Sequence, residues 1–471
     1  MNNLPYWLHK IRRSILIALV LMFTGLLLPS GRARAQAVPA GELPPGESNP
    51  MEPLLPGQTL GSNLSLNQGV NAINAENQSF EKYGLGLSAS GGDETNFFGT
   101  QTDQKSAAYA QFAADGGLLL HSERTRYFLL YQPQYTLYPQ YSNVNNFSQR
   151  AFQSLAHAFS ERSALQWDTT AARYLSLNQY LPQSLGIGGI GVVVPTLGAL
   201  LEEDSFEVTN AASTVNYKYL MNARMTLSAR GTAAYFLMVP SQVTTGVIPH
   251  TNIGERFLTV GGDVRLTYQL TLRDTVGGAL TPIYIDGISP GGNESAETLQ
   301  ATYSRELTPT FTARVAAGPL FIQSSGADIG TFSETSYSLN ASLSRKLRQS
   351  EFSVDYSRAI LVNLLEPAIV SNTIGSTAYL GFGNNWIFTG AGSYTHNAGN
   401  GQAYGPGHVY GGSAQQAYQI GKDLQLFAMY SITSESFSTA VNAPSLGFTR
   451  NQFGGGIRFN LGNPLTRGGL Q

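Results

Sequence analysis

Between Glu255 and Leu270 alternate residues separate by polarity. Leu258, Val260, Gly262, Val264, Leu266, Tyr268 and Leu270 form one set, and Glu255, Phe257, Thr259, Gly261, Asp263, Arg265, Thr267 and Gln269 form the other. A period of two held this long predicts an extended strand with two chemically different faces. After a turn at Thr271 to Arg273 the chain returns with Val276, Gly278, Leu280, Pro282 and Tyr284 on one face and Thr275, Gly277, Ala279 and Thr281 on the other, which makes an antiparallel hairpin. Most soluble strands stop at roughly five or six residues, whereas a tilted strand crossing a ~25 Å apolar band needs about nine to eleven. These are long enough to cross, and Tyr268 and Tyr284 stand at the two ends of the apolar stripe, where amphipathic rings suit a membrane interface.

The same alternation recurs from Lys82 onward. The predicted strands are 83–90, 106–120, 125–138, 149–160, 163–174, 206–219, 225–236, 255–269, 274–285, 295–305, 310–321, 335–345, 351–361, 373–383, 386–396, 408–419, 424–434 and 450–461. Short turns near Ser122, Glu161, Asn222, Thr271, Thr308, Lys346, Asn384 and Lys422 alternate with longer Gly/Pro/Asn-rich links such as 139–148, 237–254, 322–332 and 397–407. About eighteen such strands (16–18), with short turns on one side and long loops on the other, predict an all-β fold over 83–461: a closed antiparallel transmembrane β-barrel with its turns in the periplasm and its loops outside. The turns share a unit. Tyr219-x-Met221-x-x-Arg224-x-x-Leu227 aligns with Tyr268-x-Leu270-x-x-Arg273-x-x-Val276 and with His157-x-Phe159-x-x-Arg162-x-x-Leu165. Recurrence at fixed offsets marks one supersecondary element used many times. A propeller is the soluble alternative, but its strands are shorter and its turns alternate less strictly in length. Pro133, Pro282 and Pro319 fall inside predicted strands, where a missing N–H removes a ladder hydrogen bond; pairing is expected to loosen or bulge there.

Composition agrees with a membrane-embedded sheet. Charged residues make up 12% of the chain against about a quarter in soluble domains, and there are 51 glycines and 24 tyrosines. The net charge of -2 offers no basic stripe for nucleic acid. Absence of cysteine excludes disulfides, thiolate metal sites and a lipidated N-terminal cysteine. Lys10, Arg12 and Arg13 ahead of an apolar run from Ile15 to Leu28, then small residues, predict a signal peptide over 1–35 with cleavage after Ala35 or Ala37. Residues 36–82, with six prolines and then a polar stretch, read as a flexible or polyproline-like periplasmic tether, which could also bind a periplasmic partner. A short tail, 462–471, follows the last strand.

If the apolar set meets lipid, the opposite set lines a lumen. It holds rows of hydroxyls and amides, such as Ser336, Ser338, Asn340, Ser342 and Ser344, and Asn210, Thr214, Asn216 and Lys218. Its charged members are the pore-lining candidates: Arg126, Lys218, Arg230, Arg265, Arg314 and Arg458 against Asp168, Asp263 and Asp355, a weakly positive balance that can bias ion passage. Some can instead pair with one another, as Asp263 and Arg265 do in spacing.

The longest link, Leu175 to Asp204, joins the fifth and sixth predicted strands. With this loop position, strand number and hairpin architecture, the chain resembles the porin family of outer-membrane barrels, in which the third external loop folds into the lumen. That resemblance implies a cell outer-membrane channel for passive diffusion of small hydrophilic solutes, surrounded by outer-membrane lipid and able to form a homo-oligomer. Here the loop runs apolar from Leu185 to Leu201 and ends in Glu202, Glu203 and Asp204, the constriction-loop candidates, which a solvated rim would also explain. The family's loop is generally more acidic. Its closing strand is also terminal, whereas Phe453, Gly455, Ile457, Phe459 and Leu461 here precede a tail. Two other classes stand beside the channel. One is an export or surface-assembly component such as a polysaccharide exporter, suggested by the tether and the apolar loop. The other is an outer-membrane hydrolase, for which His396 and His408 flank one loop but have no serine or carboxylate partner in sequence. The expectation is no enzyme, no cofactor and no metal.

Overall fold

The computed structural model describes residues 83–96, 105–122, 124–142, 145–177, 191–192, 205–240, 255–288, 292–326, 330–347, 350–362, 369–382, 385–398, 404–421, 423–439 and 446–461. The expected signal peptide, tether and C-terminal tail lie outside them, as do Glu202, Glu203 and Asp204. The strands in chain order are β1 Tyr83–Thr95, β2 Ala107–His121, β3 Thr125–Leu137, β4 Asn146–Ser160, β5 Ser163–Leu177, β6 Gly191–Val192, β7 Ser205–Asn222, β8 Met225–Pro240, β9 Glu255–Gln269 and β10 Asp274–Ile288. They continue as β11 Gly292–Thr308, β12 Phe311–Gly326, β13 Gly330–Leu347, β14 Ser350–Val362, β15 Ile369–Phe382, β16 Trp386–Ala398, β17 Tyr404–Ile420, β18 Leu424–Thr439 and β19 Leu446–Leu461. Apart from the two-residue β6, each long strand pairs antiparallel with its sequence neighbours. The ring closes where β1 meets β19 from Leu85↔Leu461 to Thr95↔Asn451. The molecule is therefore a closed 18-strand antiparallel barrel, as the alternation predicts.

The exterior is apolar and uncovered. Val260, Val264, Leu266 and Tyr268 on β9, Leu280 and Tyr284 on β10, and Val315 and Phe321 on β12 are all exposed. Their alternates, such as Thr259, Ala279, Thr281 and Leu320, are buried. A surface of this kind would be driven out of water, and closure leaves no edge to be solvated, so the sheet is built to span hydrocarbon.

The recurring turn unit acquires a mechanism. A polar side chain opens each turn and accepts from the N–H two residues on: Ser160 from Arg162 at 3.2 Å, Asn222 from Arg224 at 2.9 Å and Thr271 from Arg273 at 3.1 Å. The turn arginine's carbonyl then receives an N–H from the next hairpin, Leu220 to Arg162 at 2.7 Å, Gln269 to Arg224 at 2.8 Å and Glu306 to Arg273 at 2.9 Å. The repeat thus ties each hairpin to its successor as well as closing it.

The three prolines loosen the ladder without shifting it. At Pro282 the pairing to β9 skips from Leu280↔Val264 to Ile283↔Gly261. At Pro319 the pairing to β11 skips from Thr298↔Leu320 to Ala301↔Ala317. At Pro133 the pairing to β2 skips from Ala113↔Gln134 to Gly116↔Tyr131. Each proline keeps a continuous ladder on its other side, so the missing N–H costs one local interruption and no bulge.

Strands run further toward the long-loop end than the alternation indicates. β12 and β13 stay paired as far as Gly326↔Gly330, so most of the expected link 322–332 is strand. The long link between β5 and β7 carries β6, which pairs in parallel with Leu361 and Val362 of β14. That contact lies on the far side of the ring from the strands the link joins.

Candidate functional site: the lumen wall

Strand parity and burial place all nine charged lumen candidates, Arg126, Asp168, Lys218, Arg230, Asp263, Arg265, Arg314, Asp355 and Arg458, on the inward set, opposite to the exposed apolar residues of their own strands. The structure gathers five of them on one stretch of wall. Arg230 lies directly across from Asp263, and Lys218, Ser228 and Arg265 share one row through the β7–β8 and β8–β9 pairings. Asp263 is held by Thr281, whose hydroxyl donates to Oδ2 at 3.0 Å, and by Arg265, whose Nη2 lies 3.7 Å from the same oxygen. Arg314 stands across from Ser304 and Ser342, nearer the short turns. Lys218, Arg230, Arg265 and Arg314 thus set four cations against two carboxylates of the same parity, Asp263 and Glu306, in the short-turn half of β7–β12.

Several other inward carboxylates have close neighbours on the wall. Arg458 donates to Asp115 at 2.8 Å, a pair across β19 and β2 that the alanine- and glycine-rich run of β2 hides from a parity reading. Asp168 accepts from Ser154 at 2.6 Å and from Gln166 at 2.9 Å. Asp355 lies flat on the wall over Gly375, where an added Cβ would sit 2.7 Å from its Oδ2. Glu94 and Arg450 form an ion pair whose groups are 1% and 14% exposed. Sequence alone does not single out these last two, because they lie next to links, where the alternation fades.

The inward set is not uniformly hydrophilic. Ile283 and Ile285 on β10 and Leu320 and Ile322 on β12 point inward and are buried, and so do Leu119, Phe128, Leu130 and Phe152 on β2–β4, which form one cluster. Side chains buried this deeply do not face open water. Polar residues of the inward set are packed as tightly: Ser338 of β13 accepts from Gln300 Nε2 at 2.9 Å, and Thr214 and Thr232 pair at 3.2 Å.

His396 and His408 do meet, directly opposite each other on β16 and β17 with ring centroids 4.8 Å apart. They belong to the outward set. Tyr394 OH lies 2.8 Å from His408 Nδ1, and Ser436 of β18 stands across from His408, but neither ring hydrogen-bonds a serine or a carboxylate among the described residues. A hydrolytic arrangement needs those groups within hydrogen-bond reach.

No family model matches the chain, and no curated protein sequence matches it. Solved structures similar to it include OccK2 (OpdF) of Pseudomonas aeruginosa, at 12% identity and a TM-score of 0.43 over 82% of this chain and 99% of that one. The FrpB iron transporter of Neisseria meningitidis (F5-1 variant) is 9% identical, with a TM-score of 0.47 over 83% of this chain and 84% of that one. The siderophore receptor PiuA of Acinetobacter baumannii is 9% identical, with a TM-score of 0.41 over 82% of each chain.

Proposed function

We propose that this chain is an outer-membrane channel for small hydrophilic solutes and that it favours anions. The observation that carries the reading is the cation-rich inner wall in the short-turn half of β7–β12, where Lys218, Arg230, Arg265 and Arg314 outnumber Asp263 and Glu306 inside a closed barrel with an apolar exterior. Fixed charge on a narrow wall biases which ion enters. The pairing of β6 with β14, on the far side of the ring from β5 and β7, supports a restricted passage.

Single-channel recording tests this. Purified protein in a planar bilayer under a salt gradient is expected to give stepwise conductance with a reversal potential on the anion side. Replacing Arg230, Arg265 and Arg314 together by alanine should move that potential to or past zero. A folded protein that never conducts, or a triple variant with unchanged selectivity, would overturn the reading. An export role through the 36–82 tether would instead show as a periplasmic protein that copurifies with the intact chain and is lost when 36–82 is deleted.

A further inference from the structure

One row of residues on the outside of the barrel does not fit its surroundings. Arg358 of β14 pairs with Asn372 of β15, Asn372 with His396 of β16, and His396 with His408 of β17, so four polar side chains stand side by side around the ring at one level. All four share the parity of exposed apolar neighbours: Phe352 and Val354 on β14, Ile374 on β15, Trp386 on β16 and Tyr410 on β17. Tyr337 and Tyr410 flank the row and are 54% and 53% exposed. Arg358 is eight residues from the start of β14 at the short turn. A rise of ~3.3 Å per residue at a tilt near 40° puts it roughly 20 Å above that turn, close to the outer interface of a ~25 Å band.

The arginine is held in place. Its guanidinium carbon lies 4.2 Å from the centroid of the Tyr337 ring, and Nη1 donates to Asn372 Oδ1 at 3.1 Å, an oxygen that also accepts from Tyr356 OH at 3.0 Å. Its Nε is buried without a partner, and no carboxylate pairs with it among the described residues. The ladder between β13 and β14 ends at Leu339↔Arg358, so the wall parts immediately above the guanidinium on one side. His396 Nδ1 is likewise buried and unpartnered.

The geometry points to a docking site on this row for the phosphate of an anionic membrane lipid, its headgroup against Arg358 and Asn372 and its acyl chains along the apolar face below. A fixed guanidinium with no counter-ion, at headgroup depth and facing out, complements a phosphate in charge and in hydrogen-bonding geometry. An uncompensated arginine on a lipid-facing surface is costly, and a lipid phosphate offsets that cost. The source is the membrane rather than dissolved phosphate, because the apolar residues beneath the row offer a place for chains that a free anion does not have.

The full-length protein in phosphatidylcholine nanodiscs doped with phosphatidic acid provides the test, with lipids retained per barrel counted by native mass spectrometry. The wild type should retain phosphatidic acid selectively. Arg358→Gln should lower that retention about tenfold, the usual size of a lost charge-assisted contact. Asn372→Ala should lower it less, and the double variant His396→Gln/His408→Gln less again. Arg173→Gln, an outward arginine on β5 away from the row, should retain it in full. Heat-modifiable migration on gels checks that each variant is folded; should Arg358→Gln fail to fold, Asn372→Ala decides. Undiminished retention in the row variants, equal loss in Arg173→Gln, or displacement of the lipid by inorganic phosphate would each overturn the proposal.

Discussion

Strand β13 belongs to two hairpins that behave differently. With β12 it is paired along its whole length, from Phe311↔Arg345 to Gly326↔Gly330. With β14 it is paired only from Leu347↔Ser350 to Leu339↔Arg358, and above that level its second edge meets no strand among the described residues. At ~3.4 Å per residue and a 40° tilt the shorter ladder reaches roughly 21 Å, close to the depth of the ~25 Å apolar band, whereas the longer one rises well beyond it. Inside lipid an unpaired backbone group costs several kcal/mol, so closure is obligatory there; above the interface water can take the bond, and the wall is free to part. Pairing in this barrel is thus enforced by the membrane and optional outside it.

Proline substitution at two sites on the same edge gives the largest effect by which that comparison can be broken. Lys346 donates its N–H to Thr310 of the turn before β12, so even-numbered residues of β13 bond toward β12 and odd-numbered ones toward β14. Leu343 therefore has its N–H in the β14 ladder, opposite Val354, while Thr335 points to the same side, where no strand pairs with it among the described residues. Leu343→Pro should abolish the heat-resistant barrel, with several kcal/mol lost from an orphaned carbonyl in hydrocarbon. Thr335→Pro should leave the folded band in place and change stability by less than about 1 kcal/mol. Equal damage at both sites would mean that the upper edge of β13 is paired after all.

A smaller effect concerns what covers the free edge of β14. Leu361 and Val362 pair with Gly191 and Val192 on the side that β13 leaves. Replacing both Gly191 and Val192 by proline removes their N–H groups and, if the bridge holds the β5–β7 link across the ring, should raise single-channel conductance without moving the folding transition. Unchanged conductance would show that the bridge sits clear of the solute path.

The same boundary explains which parts of the fold were legible in the sequence. Within the bilayer one face must be apolar, so Val260, Val264 and Leu266 against Thr259, Asp263 and Arg265 reveal both the strand and which residues point inward. Above the interface both faces meet water. Gln323, Ser325, Thr331 and Ser333 are strand residues, yet all are polar, and the alternation that would have extended β12 and β13 through them is gone. His396 and His408 resembled loop flanks for that reason. Buried inward residues such as Leu320 and Ile322 were misleading in the opposite way, since a lumen read only by parity is expected to be polar. β6 left no local signal at all: two residues in an apolar link acquire a partner only through a contact that crosses the ring.

The smallest effect lies at the point where the two hairpins part. Tyr337 sits just above the last β13–β14 pair, and its ring carries the guanidinium of Arg358 from the neighbouring strand. If this contact pins the top of the shorter ladder, Tyr337→Leu should cost about 0.5–1 kcal/mol, the range of an exposed cation–π pair, because leucine keeps an apolar residue at the interface and removes only the ring face. Urea unfolding in vesicles would read that as a small drop in midpoint with an unchanged slope. The change should vanish when Arg358 is already glutamine, since the pair is then broken from the other side. A Tyr337→Leu loss that persists in the Arg358→Gln background would assign the stabilisation to burial of the ring against β12, and the parting of the wall would then begin at the end of the backbone ladder with nothing pinning it.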